Sequence, residues 1–306
     1  MMYLLLIVGF VLLVKGADFF VDGSSSVARL LKIPSLIIGL TIVAMGTSAP
    51  EASVSITAAL KHSSGLSVGN IVGSNMFNLL VVIGVSALIT PFVTDRQILK
   101  RDLPINAATI AVLILFCIDG QIGRIEGTLL FIGMIAYIVV LIINAIKSRE
   151  EGENIKTLSP LVSILYIIGG IIGIILGGNV VVSSATDIAK HFNLSDTIIG
   201  LTIVAVGTSL PELVTSIVAA KKGESALSLG NAVGSCLFNV LFILGASSMI
   251  TPQTIKPDIL INCALLLVVS VLLWIIGKSK GRITRAEGFI CVLLYVLYTI
   301  YLIMTA

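Results

Sequence analysis

Charge is what this chain has least of. Only 11% of its 306 residues are Asp, Glu, Lys or Arg, against 57% that are hydrophobic. Mean hydropathy is +1.13, which excludes an ordinary soluble domain. There are two histidines, four cysteines and one tryptophan. Cys117, Cys236, Cys263 and Cys291 form no CxxC pair and have no histidine near them in sequence, so they read as small buried hydrophobes rather than disulfide or metal partners. His62 and His191 read as loop residues, and Ser48 has no base beside it. No nucleophilic site can be assembled, and no enzyme is expected. The net charge of +3 is spread over short loops instead of a basic patch, which gives nucleic-acid binding no support. Residues 1–14 are apolar without a basic leader or a small-residue cleavage site, and read as a retained first span.

What is present is a series of apolar runs of spanning length. They fall near 2–24, 33–60, 67–90, 103–119, 125–146, 161–185, 195–220, 227–250, 259–277 and 286–304. The expected fold is therefore an all-α polytopic membrane protein with ten transmembrane helices. The only sustained charged segment, 147–156, reads as a solvated linker between the fifth and sixth spans. A single gapless offset of 161 positions relates Glu51 to Glu212, Asn78 to Asn239, Thr90-Pro91 to Thr251-Pro252 and Arg124/Glu126 to Arg285/Glu287. The chain thus divides into a five-helix unit over 1–145, a linker over 146–161 and a second five-helix unit over 162–306. A five-span unit followed by its copy enters the membrane from the opposite side, so the repeats are expected to be inverted, a plan that places substrate where broken helices meet at mid-membrane. Alternate loops carry fourteen Lys and Arg on one side and four on the other. By the positive-inside rule the first set is cytoplasmic and both termini lie outside. The expected location is the cell membrane, with lipid as the surrounding partner.

The most unusual stretch is Gly39-Leu-Thr-Ile-Val-Ala-Met-Gly-Thr-Ser-Ala-Pro-Glu51, which returns as Gly200-Leu-Thr-Ile-Val-Ala-Val-Gly-Thr-Ser-Leu-Pro-Glu212. Each copy sets a carboxylate inside an apolar run. Insertion scales put the cost of Asp at a helix centre at about 2.5–3.5 kcal/mol, so intramembrane acids mark functional sites by default. Pro50 and Pro211 have no N–H for the carbonyls of Gly46 and Gly207. The helices are expected to open there and free carbonyls, which is tolerated at membrane depth only where backbone lines a cavity or finds other partners. If helical geometry resumed across the break, Thr47 and Ser48 would share a face with Glu51.

The third and eighth spans carry a second repeated motif, Gly69-Asn-Ile-Val-Gly-Ser-Asn-Met-Phe-Asn78 and Gly230-Asn-Ala-Val-Gly-Ser-Cys-Leu-Phe-Asn239. Asn70, Ser74 and Asn78 form an i, i+4, i+8 stripe that Asn231, Ser235 and Asn239 repeat, and Gly69/Gly73 and Gly230/Gly234 are GxxxG pairs expected to admit a neighbouring backbone. The bland reading of these polar residues is helix-to-helix hydrogen bonding. Taken together, the four helices offer carboxylates, hydroxyls, amides and carbonyls without thiolate or imidazole. That donor set suits hard cations such as Na⁺ and Ca²⁺. Arg124/Glu126 and Arg285/Glu287 are explained by snorkelling at span ends. Asp18, Asp22, Asp119 and Asp187 are not acidic in both halves and carry no assignment.

Through these two Gly-Thr-Ser-x-Pro-Glu and two Gly-Asn-x-x-Gly-Ser-x-x-x-Asn motifs, the whole chain resembles the sodium/calcium exchangers of the cation/calcium exchanger superfamily. The resemblance implies that the motifs line a central cluster of ion sites and that the first and sixth helices slide past the core bundle. It implies that Glu51 and Glu212 hold Ca²⁺ with the Thr47 and Thr208 carbonyls, and that Ser48, Ser74, Ser209 and Ser235 help form flanking Na⁺ sites. Several relatives carry Asp where this chain has Asn239, so amides at both Asn78 and Asn239 argue against K⁺ co-transport. Their place one turn beyond Ser74 and Ser235 makes both amides face the ion cluster. The expected function is Na⁺/Ca²⁺ antiport by alternating access, with the ions as the only small-molecule partners, no cofactor and no protein partner implied. H⁺/Ca²⁺ exchange is the alternative within the class, and a cation channel the alternative outside it.

Overall fold

The computed structural model describes residues 2–147, 157–191 and 205–305 of the chain. Most of the expected linker and the first half of the seventh span, including Gly200–Val204 of the second motif, lie outside the described residues.

Among the described residues helices fall within each of the expected apolar runs. They are α1 (Met2–Leu31), α2 (Ser35–Thr47) with α3 (Ala49–Leu60), α4 (Ser64–Ile89), α5 (98–116), α6 (Arg124–Lys147), α7 (Pro160–His191), α8 (Ala205–Thr208) with α9 (Leu210–Lys221), α10 (Ser225–Ile250), α11 (Pro257–Lys280) and α12 (Arg285–Thr305). Among the described residues seven helices are long and apolar enough to cross a membrane, or eight when the bent pair α2–α3 is taken as one. Several boundaries differ from expectation because polar residues near the ends find partners. Helix α1 runs on to Leu31, and Arg29 in its added last turn pairs with Glu224. Helix α5 starts at 98 instead of 103 because Arg101 and Tyr137 both bind Asp102, which keeps that charged turn helical. His191 lies in α7 and is not a loop residue; His62 does lie in a turn, at φ 56°.

Helices α4 and α10 form the centre: 83% and 78% of their most apolar stretches are buried, against 17% for α12. The large exposed apolar side chains lie mainly on α1, α6, α7, α11 and α12, the arrangement expected where lipid is the solvent. Helix α4 packs on α3, α9 and α12, while α10 packs on α9, α3 and α6. Each half of the chain therefore contributes helices to both sides of the core. Two short antiparallel pairs bind the halves again: β1 (Phe92–Val93) with β4 (Arg282–Ile283), and β2 (Gln121–Ile122) with β3 (Gln253–Thr254). All four cysteines are buried and free.

Helices α1 and α7 lie antiparallel against each other. A Cβ on Gly16 would sit 2.6 Å from the Ile174 amide nitrogen, and one on Gly177 would sit 2.5 Å from that of Leu13. Only hydrogen fits at these points. As helices of 30 and 32 residues, the two measure roughly 45–48 Å, well beyond the ~30 Å of hydrocarbon.

Candidate ion-binding site

Both Gly-Thr-Ser-x-Pro-Glu motifs break their helices at the serine. Ser48 has φ −81° and ψ 10°, and Ser209 has φ −92° and ψ 5°, so α3 and α9 each begin one residue later with the proline in the first turn. Helix α3 leaves α2 at 51°. Proline is well placed there, since first-turn N–H groups have no intrahelical partner to lose.

The break redirects the side chains. Ser48 does not share a face with Glu51 as continuous helix would have it; its hydroxyl donates to Glu212 Oε1 at 2.7 Å. Ser209 reciprocates, donating to Glu51 Oε1 at 2.8 Å. Thr47 Oγ1 turns back to the Val43 carbonyl at 3.1 Å and lies 3.0 Å from Asn231 Oδ1. Each carboxylate thus depends on the opposite half of the chain for its closest donor. Its own half adds a longer bond: Ser74 to Glu51 Oε1 and Ser235 to Glu212 Oε1, both 3.4 Å.

A further layer holds these groups. Asn70 Nδ2 donates to Ser55 Oγ at 2.9 Å and to the Glu51 carbonyl at 3.4 Å. Asn231 repeats this with Ser216 at 2.9 Å and the Glu212 carbonyl at 3.3 Å. Ser55 and Ser216 in turn donate to the carbonyls of Ser67 and Ser228. Each of these contacts recurs 161 positions along the chain. The asparagine stripe of the second motif therefore divides its labour: Asn70 and Asn231 bind the turn that carries the acid, whereas Asn239 binds Asn75 instead.

Glu51, Glu212, Ser48, Ser209, Thr47, Asn78, Ser235 and Asn239 are wholly buried, and Ser74 is 2% exposed. Thr208 is half-buried. Glu51 Oε2, Glu212 Oε2, Asn239 Oδ1 and both amide atoms of Asn78 have no hydrogen-bond partner among the described residues. Buried polar atoms are nearly always satisfied, so these unpaired carboxylate oxygens and amide atoms mark the cluster as a candidate site. Asn78 opens one wide π-type turn, Asn78–Val82, and Asn239 lies in another, Phe238–Leu244. Such bulges often coincide with functional sites.

Two cavities reach the site. One of about 490 Å³ runs between Pro50, Pro211, Gly178 and Thr208; another of about 470 Å³ passes Thr208, Ser74, Gly73 and Gly69 to Gly65, Lys256 and Leu302. The GxxxG expectation accordingly holds for one half only. A Cβ on Gly234 would lie 2.7 Å from Leu40 Cα, but one on Gly69 or Gly73 would meet nothing within 4 Å, because those glycines line the second cavity. At the opposite end of the molecule ion pairs join α1 to the α9–α10 turn: Arg29 to Glu224 at 2.6 Å, and Lys222 to Asp22 at 2.7 Å and to Asp18 at 3.3 Å.

Sequence reasoning missed Asn75, whose side chain binds the Cys236 carbonyl at 3.1 Å and accepts from Asn239 at 3.0 Å. Its signal was a mismatch, asparagine in one copy of the motif and cysteine in the other.

Known proteins share this construction. The profile of the family described as sodium/calcium exchanger protein matches residues 1–143 and 162–304. The chain is 34% identical to the inner membrane protein YrbG of Escherichia coli K12, over 94% of each chain. It is 30% identical to the sodium/calcium exchanger MaX1 of Methanosarcina acetivorans, over 98% of each. Its structure matches that of the sodium-calcium exchanger NCX_Mj soaked with zero Na⁺ and Ca²⁺, with a TM-score of 0.87, 32% identity and 98% of both chains covered. A multi-pass helical membrane protein with two crossed carboxylates at paired helix breaks, this chain belongs to the sodium/calcium exchanger protein family.

Proposed function

We propose that the chain is a secondary antiporter exchanging Na⁺ for Ca²⁺ by alternating access, built from ten spans in two inverted five-helix repeats, about 1–145 and 162–306. The observation that carries the reading is the reciprocal pair Ser48–Glu212 and Ser209–Glu51, which leaves one oxygen of each buried carboxylate without a partner among the described residues. Two carboxylates balance one divalent cation in charge, and the surrounding hydroxyl, amide and carbonyl oxygens supply the remainder of the 6–8 ligands that Ca²⁺ takes. In this reading Glu51 and Glu212 hold Ca²⁺ with the backbone carbonyls of Thr47 and Thr208. Ser48, Ser74, Ser209 and Ser235 serve flanking Na⁺ positions, and Asn78 and Asn239 offer amide oxygens. Na⁺ competes for the same oxygens, so the two ions exclude each other from the carboxylates.

Coupling follows from the cost of burial. An empty site would carry two uncompensated carboxylates through a water-excluded intermediate, which is far more expensive than moving them neutralised by cations. The glycine-lined contact of α1 with α7 supports these helices as the pair that slides against the core. The cavity past Gly73 supports an arrangement open to the side bearing Lys256, which the distribution of basic loops makes the outside of the cell membrane. No cofactor is required, and one chain holds every residue used.

Glu51→Gln and Glu212→Gln test the assignment. Either change should abolish Ca²⁺ transport and Ca²⁺-induced thermal stabilisation in a protein that still folds; transport at the parental rate by either variant would overturn it.

A further inference from the structure

The carboxylates, hydroxyls and amides described above recur in both halves of the site, but one buried amide at its centre does not. Asn75 occupies the place that Cys236 holds in the second half, and the two face each other, both wholly buried. Asn75 Nδ2 donates to the Cys236 carbonyl at 3.1 Å, and Cys236 Sγ donates to the Asn75 carbonyl at 3.7 Å. Asn75 Oδ1 then accepts from Asn239 Nδ2 at 3.0 Å.

The direction of this relay is fixed by its anchor. A backbone carbonyl only accepts, so the amide of Asn75 must turn its NH₂ to Cys236 and its oxygen to Asn239. Asn239 must answer with its NH₂, and its own Oδ1, buried and without a partner among the described residues, faces away from the relay. A primary amide left unrestrained can offer a cation either its oxygen or its repelling NH₂. Asn239 has had that choice removed. Asn78 has not, since neither of its amide atoms is partnered among the described residues and the residue equivalent to Asn75 in the other half is a thiol, a weak donor and acceptor.

We infer that Asn75 is a positioning residue that presents the Asn239 carbonyl oxygen to the transported cation, so that Asn239 and Asn78, equivalent in sequence, are unequal as ligands. The inference rests on the ion site proposed above. It explains why the position departs from the repeat: an oxygen-presenting relay on the axis between two half-sites has one direction and can serve only one of them.

The experiment combines Asn75→Cys, a residue the fold already accommodates at Cys236, with Asn239→Asp. A carboxylate presents an oxygen in either rotamer and needs no orienting partner. In the parental background Asn75→Cys should raise the half-saturating Ca²⁺ concentration about tenfold, the usual value of one oriented hydrogen bond, while the melting temperature stays near that of the parent. In the Asn239→Asp background the same change should shift half-saturation by less than about twofold. Asn75→Ser provides a second variant with the same pattern expected. An equal shift in both backgrounds would make Asn75 a merely structural residue and overturn the inference, as would no shift in the parent background. A parent without Ca²⁺ transport removes the ion site itself, and the inference with it; parental transport that is indifferent to Asn75 removes the inference alone.

Discussion

Ser48 donates to Glu212 at 2.7 Å across the two halves of the chain, although Glu51, three residues away, is the acid that local helical geometry would offer it. The crossing makes the affinity of each carboxylate for a cation dependent on the other half. Replacing Ser48 by Ala leaves Glu212 Oε1 with only the 3.4 Å bond from Ser235. Hydrogen bonds to charged groups are worth about 1.5–3 kcal/mol, or roughly 10- to 150-fold in affinity. Ser48→Ala and Ser209→Ala should therefore each weaken half-saturation by Na⁺ and Ca²⁺ by at least about tenfold, read from the ion dependence of exchange in proteoliposomes.

The empty carboxylates should cost stability. Glu51→Gln removes a buried charge at nearly constant volume, so the ion-free variant should melt at or above the parental temperature, because an unpaired buried carboxylate is unfavourable. Added Ca²⁺ should raise the parental melting temperature and leave the variant unmoved. Differential scanning fluorimetry in detergent reads both.

Pro50 and Pro211 lie in the first turns of α3 and α9, just past the breaks at Ser48 and Ser209. Alanine at either position restores an N–H that can pair with the carbonyl four residues back and draws the break towards continuous helix. Pro50→Ala and Pro211→Ala should leave thermal stability equal or higher and weaken ion affinity, as measured by Ca²⁺ titration of exchange.

Gly73 and Gly234 stand at equivalent places in the repeated motif yet should respond oppositely to alanine. The new methyl on Gly234 would lie 2.7 Å from Leu40 Cα and 2.8 Å from its carbonyl oxygen. Backbone cannot step aside, so a loss of about 1–3 kcal/mol is expected. Gly73→Ala meets nothing within 4 Å and gains about 0.5–1 kcal/mol of helix propensity. Thermal unfolding of the two variants side by side checks the sign.

The ion pairs of Arg29 with Glu224 and of Lys222 with Asp18 and Asp22 join α1 to the α9–α10 turn. Lys222→Gln should change unfolding free energy by less than about 1 kcal/mol, as partly exposed pairs do. It should nevertheless increase the modification of a cysteine introduced near that turn, scored with a membrane-impermeant thiol reagent.

The hydrophobic runs made the helices legible because the membrane demands spanning length, and the 161-residue offset made both motifs legible because each half must supply one side of the site. Partner identity was not legible. Helical spacing placed Ser48 beside Glu51, and only the backbone angles at Ser48 reveal that the break turns it towards Glu212. The closeness implied by GxxxG was equally ambiguous, since the same spacing that seats Gly234 on Leu40 leaves Gly73 facing a cavity. Asn75 was hidden for a different reason: a repeat search rewards identity, and this residue acts where the halves differ.

The central claim is that Na⁺ and Ca²⁺ alternate on the crossed carboxylates Glu51 and Glu212. Purified protein in liposomes loaded with Na⁺, diluted into Na⁺-free medium with radiolabelled Ca²⁺ and with pH clamped equal on both sides, measures it most directly. Ca²⁺ should accumulate only while the outward Na⁺ gradient lasts, and Glu212→Gln should abolish the uptake. Accumulation driven instead by an imposed pH gradient and indifferent to Na⁺ would contradict the account, as would Ca²⁺ flux that runs down its own gradient without any counter-ion.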